Sequence, residues 1–182
     1  MDLFEAMKER RSVRRFTADP IGDGDLERIL KAGCDAPSWA NTQCWEVVVV
    51  RDPATRAALS ETLSEHNPAR DAVKNAPVVI VACGRKRASG FKKGEATTVL
   101  GDWLMFDVAL FLQNATLAAH ALGYGTVHVG LFDHAAAARI VGAPDTVQVV
   151  ELVPLGRPSG PAPKAPPRRP LAELVRYERF RD

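Results

Sequence analysis

Residues 100–123, LGDWLMFDVALFLQNATLAAHALG, are apolar on nearly every face of the helix that their pattern predicts. Such a helix belongs either in a bilayer or in a core that surrounds it. A bilayer asks for about 20 predominantly apolar residues. Here Asp102, Asp107, Gln113, Asn114 and His120 interrupt the run, and one Asp near the centre of a span costs roughly 2.5–3.5 kcal/mol on insertion scales. The chain therefore reads as a globular domain built around this helix. Its 182 residues, 46% hydrophobic and 25% charged, suffice for a substantial core. Burying one helix on all sides is still difficult at that size, and a second copy of the chain would cover the face left over.

The remaining elements alternate between helix and strand. Leu3, Phe4 and Met7 form the apolar stripe of a first helix. Asp23 or Asp25 is placed to cap a second, in which Leu26, Ile29 and Leu30 recur at helical spacing. WEVVVVR (45–51) and PVVIVAC (77–83) are continuous β-branched runs of the kind found in buried strands. Between them, DPATRAALSETLSEH predicts a helix opened by Asp52 with Pro53 in its first position. TVHVG and VQVVELVPLG supply two later strands around the small helix DHAAAARIVG. The basic stretch GRKRASGFKK (84–93) reads as a mobile solvated loop in preference to a phosphate site. Met1 begins a charged amphipathic segment without the apolar run of a secretory signal, so the mature chain is expected to start there.

Two stretches carry chemistry. Arg10–Phe16, RRSVRRF, sets four arginines around one serine. The chain as a whole is close to neutral, with 24 Lys+Arg against 22 Asp+Glu and a net charge of +2, so the basicity is local. Either it is a solvated face, or it grips an anion at close range, where paired guanidinium donors suit a phosphate. The loop APSWANTQCW carries Ser38, Asn41, Thr42 and Gln43 between Trp39 and Trp45. Its amides suit the edge of a planar heterocycle, or they bond their own backbone in a turn.

These residues carry a resemblance. RRSVRRF, PSWANTQCW, FLQNATLAAHALGYGT before VHVGLFD, and PLGRP followed by RRPLAELV, in that order, resemble the FMN-dependent nitroreductase family over nearly the whole chain. The resemblance implies an α+β fold with a central mixed or antiparallel sheet flanked by helices. It implies a homodimer with the long helix buried at the interface. Residues 1–160 would form a single FMN-binding domain, and residues 161–182 a C-terminal arm that crosses to the partner subunit. It assigns Arg10, Arg11, Ser12 and Arg14 to the phosphate and ribityl end of FMN, with Arg168 as a second phosphate-binding residue reached after the arm has crossed. Arg169 and Lys164 are its nearest rivals. Pro37, Ser38, Trp39, Asn41 and Gln43 would lie along the isoalloxazine. Val129, Gly130 and Leu131 would form the turn that approaches flavin N5, Gly130 allowing close approach. Cys44 stands where the family usually has proline, and Trp39 is bulkier than the usual residue; it either narrows the acceptor pocket or packs at the interface.

The implied activity is hydride transfer from NAD(P)H through the flavin to a nitroaromatic, quinone or similar small-molecule acceptor, in a ping-pong cycle. No side chain is required as a catalytic group, because the cofactor carries the chemistry. Other readings are a specialised reaction on the same fold, such as flavin breakdown or dehydrogenation, and a non-catalytic nucleic-acid binder using residues 10–15 and 85–93. The near-neutral balance argues against nucleic acid. Cys34, Cys44 and Cys83 offer no CxxC pair and suit a reducing cytoplasm. The four histidines show no metal-ligand spacing, and no Walker or dinucleotide-binding fingerprint is present.

Overall fold

A computed structural model describes residues 1–180, so the last two residues of the expected arm, Arg181 and Asp182, lie outside the described residues. The run starting at Val78 forms strand β2 (Val78–Arg85), buried at every position but the last. It is central in a sheet with β1 (Trp45–Val50), β6 (Val147–Gly156) and β5 (Gly125–Thr126), in the order β1-β2-β6-β5 with every pairing antiparallel. Alternation sends Ile80 and Ala82 to one face and Val79, Val81 and Cys83 to the other. A bulge between Ala82 and Cys83, where the partner skips from Glu151 to Val149, resets the phase. Val149 and Leu152 consequently share one core although they are three residues apart.

Helices cover both faces. On one lie α2 (Asp23–Cys34) and α5 (Leu104–Ala121), which place Leu26, Ile29, Val108, Phe111 and Leu112 against the sheet. On the other lie α3 (Pro53–Glu61), α4 (Arg70–Asn75) and α6 (His134–Val141). Asp52 caps α3, accepting from the Thr55 N–H at 2.7 Å, and Asp133 caps α6, accepting from Ala136 at 2.9 Å. The expected cap of α2 is not made by either aspartate. Gly22 stands at that position without a side-chain bond, Asp23 pairs with Arg51 at 2.7 Å, and Asp25 accepts from the Tyr124 hydroxyl at 2.8 Å.

Four further expectations are corrected. The long helix starts at Leu104, because residues 100–103 turn back to hold the preceding segment. As expected of a single copy, one face of it stays uncovered: Met105, Phe106, Ala109 and Gln113 face outward. β1 is an edge strand with Glu46 and Val48 exposed, so β-branched content there reflects strand geometry and not two-sided burial. TVHVG is strand only at Thr126; Val129 then touches β6 through an isolated bridge to Leu152. GRKRASGFKK is tethered, not a free loop. It completes β2 and leads into the hairpin β3 (Phe91–Lys92) and β4 (Glu95–Ala96). Ser89 is fully buried, Trp103 N–H donates to its carbonyl at 3.1 Å, and Arg87 N–H donates to Asp102 at 2.6 Å.

The arginine segment follows α1 (Leu3–Glu9) in extended form along the sheet. Val13 N–H donates to the Thr126 carbonyl at 2.9 Å, Thr17 to Arg157 at 2.9 Å, and Ser159 to Arg15 at 3.0 Å. Val13 fits directly over Gly125, where an added Cβ would stand 2.7 Å from the Val13 Cβ. Gly125→Ala is therefore expected to force the segment outward and to cost about 1–3 kcal/mol as overpacking. Thermal unfolding of the cofactor-free protein checks this, through a fall in midpoint of several degrees.

Candidate active site

The extended segment and the start of the C-terminal arm enclose a basic cleft of about 300 Å³, lined by Arg10, Arg11, Ser12, Arg14, Lys164 and Arg168 between Pro163 and Pro166. Arg10 ends α1, its backbone N–H donating to Ala6, and its extended ψ of 132° turns the chain into the segment. The guanidinium Nη1 of Arg10 is buried and has no hydrogen-bond partner among the described residues. Burial first, then the charges of Arg11 and Arg168, lower its pKa from the ordinary arginine value. An uncompensated buried donor next to like charges is costly, and an anion in the cleft would relieve both terms.

Arg11 lines the same cleft but is already engaged: its Nη1 donates to the Lys8 and Arg10 carbonyls, and Glu9 lies 3.9 Å from its Nη2. Arg168 lines the cleft of its own chain, so reaching this site does not require the arm to cross first. Its neighbour Arg169 instead pairs with Glu173 at 3.1 Å. Beyond Pro170 the short helix α7 (Leu171–Leu174) and the following residues leave Leu171, Leu174, Tyr177 and Phe180 exposed.

The loop 37–44 has a defined and strained shape. Ala40, Asn41 and Gln43 all take positive φ, at 46°, 55° and 44°, where an L residue ordinarily loses roughly 1–2 kcal/mol. Several bonds hold it. The Ser38 hydroxyl accepts from Gln43 N–H at 2.9 Å, and Gln43 Nε2 donates to Asn41 Oδ1 at 3.1 Å. Asn41 and Gln43 remain exposed, Pro37 is exposed, and Ser38 and Trp39 are half-buried. From β2, Arg85 Nη2 donates to the Thr42 and Gln43 carbonyls at 3.3 and 3.1 Å. From α5, the fully buried Asp107 accepts from the Trp39 N–H at 3.0 Å. Lys92 of the hairpin sets its Nζ 6.0 Å from the centroid of the Trp39 ring.

Cys44 is fully buried beneath this loop, 3.6 Å from Asp107 Oδ2, and its thiol pKa is pushed up to about 12, by burial first and then by Asp107. It stays protonated at neutral pH and is no nucleophile.

Val129 is buried against Leu152, while Gly130 and Leu131 face solvent. The turn is fastened through its carbonyls: Asn67 Nδ2 donates to Leu131 O at 3.1 Å, and the His134 ring lies 3.2 Å from Gly130 O. The basic cleft includes none of residues 37–43 and none of 129–131. Asp107, Arg85 and Lys92 were not assigned to the site from sequence. For Asp107 a signal existed, since a carboxylate in so apolar a helix needs a buried role; the other two are indistinguishable in sequence from solvated cations.

This architecture and these segments define the class. The family model described as the nitroreductase family matches residues 7–157, and the chain belongs to that family; it is an oxidoreductase. A NADH dehydrogenase of Thermus thermophilus is 32% identical over 184 aligned positions, covering 87% of this chain and 88% of that one. A NADPH-dependent oxidoreductase of Staphylococcus epidermidis is 28% identical, covering 98% and 74%. Among solved structures, the NADPH:FMN oxidoreductase of Vibrio harveyi, complexed with NAD+, superposes with a TM-score of 0.81 at 27% identity, covering 98% of this chain and 78% of that one.

Proposed function

We propose that the protein is a homodimeric FMN-dependent NAD(P)H oxidoreductase that reduces quinone, nitroaromatic or similar small acceptors. The observation that carries this reading is the buried Nη1 of Arg10, without a hydrogen-bond partner among the described residues, in a cleft walled by cations that is chemically complementary to a phosphate monoester. When bound, FMN supplies the redox chemistry, taking hydride from NAD(P)H and delivering electrons to the acceptor. Arg10, Ser12, Arg14 and Arg168 would hold the phosphate and ribityl end, with Arg11 held in reserve by its own backbone contacts. The loop Pro37–Gln43 would present its amides and Trp39 to the isoalloxazine and acceptor. The turn Val129–Leu131 would offer backbone donors where negative charge develops.

A two-fold copy accounts for what one protomer leaves open. The basic cleft is lined by neither the loop 37–43 nor the turn 129–131, and a partner's counterparts would complete the site across an interface. Leu3, Phe4 and Met7 on α1 and Met105 and Phe106 on α5 are exposed apolar side chains that such an interface would cover. Residues 171–180 would extend onto the partner. Among the described residues no helix is long and apolar enough to cross a membrane. The three free cysteines fit the expected cytoplasmic setting.

Purified protein is expected to be yellow and to release FMN, not FAD, on denaturation. Rates measured with NAD(P)H and a benzoquinone are expected to give parallel double-reciprocal lines, because donor and acceptor occupy the same place in turn. A colourless chain that does not take up added FMN sinks the reading, and intersecting lines sink the ping-pong order.

A further inference from the structure

Asp107 is a carboxylate with no solvent exposure in the first turn of α5. No ion pair among the described residues includes it. Its acceptor capacity is directed instead at a single loop. Oδ1 takes the Trp39 N–H at 3.0 Å, and Oδ2 faces the Thr42 hydroxyl at 3.4 Å and the Cys44 thiol at 3.6 Å. These partners bracket the stretch in which Ala40, Asn41 and Gln43 adopt left-handed backbone. The partial positive charge of the helix N-terminus helps to keep a carboxylate there. The dependence is mutual: the buried acceptor needs the loop's donors, and the strained loop needs a fixed acceptor.

We propose that Asp107 is a positioning residue, which holds the loop 38–44 in its left-handed shape and so fixes where Trp39 stands over the acceptor. It touches neither cofactor nor acceptor. The proposal rests on the reading of that loop as the acceptor-side wall, but its first test does not. In the cofactor-free chain, amide hydrogen exchange reads the Trp39 N–H directly. Asp107→Leu replaces the carboxylate by an apolar side chain with the same branching, and Asp107→Ala removes it. Both are expected to speed exchange at Trp39 and Gln43 by about tenfold or more, the loss of one charge-assisted hydrogen bond, while the sheet amides of β2 keep their protection. Asp107→Asn keeps one acceptor oxygen and is expected to recover most of the protection.

At saturating FMN, the same apolar variants are expected to raise KM for a benzoquinone by about tenfold and to change flavin reduction by NAD(P)H less, since the flavin stays anchored at its phosphate end while Trp39 is displaced. Should Asp107→Ala fail to fold, Asp107→Leu decides the matter. Folded apolar variants whose Trp39 exchange and quinone KM match the unmodified chain overturn the proposal. An unmodified chain that binds no FMN overturns the functional reading instead, and the exchange experiment still decides the role of Asp107.

Discussion

Deleting residues 161–182 is expected to abolish retention of FMN at micromolar protein and to weaken the dimer. The cut removes one wall of the basic cleft, with Lys164, Arg168 and the flanking prolines Pro163 and Pro166. Two charge-assisted contacts to a phosphate correspond to about 3–6 kcal/mol, a loss of roughly two to four orders of magnitude in affinity. The arm contributes little to the fold itself: every described residue from Gly160 onward is exposed. The truncated chain should therefore fold. Sedimentation velocity over a dilution series, recording protein and flavin absorbance together, separates the two effects. A truncated chain that stays dimeric with full FMN occupancy refutes this role for the arm. Because FMN is expected to bind the assembled form, added FMN should also shift the intact protein toward dimer.

Arg10→Ala is expected to weaken FMN binding by about 1.5–3 kcal/mol, tenfold or more, as a charge-assisted contact is lost. The same change should leave the cofactor-free protein as stable as before or more so. Folding disfavours the charged guanidinium, through burial and through Arg11 and Arg168, and among the described residues its Nη1 has no partner to compensate. Removing it relieves that cost, so affinity and apo stability move in opposite directions. Arg10→Lys keeps the charge but not the planar fork and should fall between. Arg169→Ala, next in sequence to Arg168 but tied to Glu173, should alter FMN affinity by much less. Fluorescence titration with FMN and thermal unfolding without it check the pair of effects. Lower affinity accompanied by a lower apo midpoint would mean that Arg10 holds the fold and not a ligand.

Much of the fold was legible because local chemistry decides it. Asp52 followed by Pro53, and Asp133 followed by His134 and four alanines, specify helix starts that the structure keeps. VQVVELVPLG is strand throughout. What was not legible depends on contacts distant in sequence. The position of β1 at the sheet edge follows from which strand pairs with β2, not from its valines. α4 is only Arg70–Asn75, too short to show a periodic stripe. The tethering of residues 84–93 depends on Asp102 and Trp103. In the site, clustered arginines announced the basic cleft, while the difference between Arg168 and Arg169 came only from the partner that each one meets. Asp107 was visible as an anomaly in an apolar helix, but its 68-residue reach to Trp39 was not.

The bond from Asp107 to position 39 is made to a backbone N–H, so it is indifferent to the side chain displayed there. Residue 39 stands on a loop whose shape is set from below, and of its own side chain only the ring's approach to Lys92 enters that arrangement. Replacements at this position should therefore change what the pocket accepts at little expense to folding, which lowers the barrier between one acceptor preference and another over evolutionary time. Position 107 carries the opposite burden: it meets no substrate, yet every version of the pocket must keep an acceptor there.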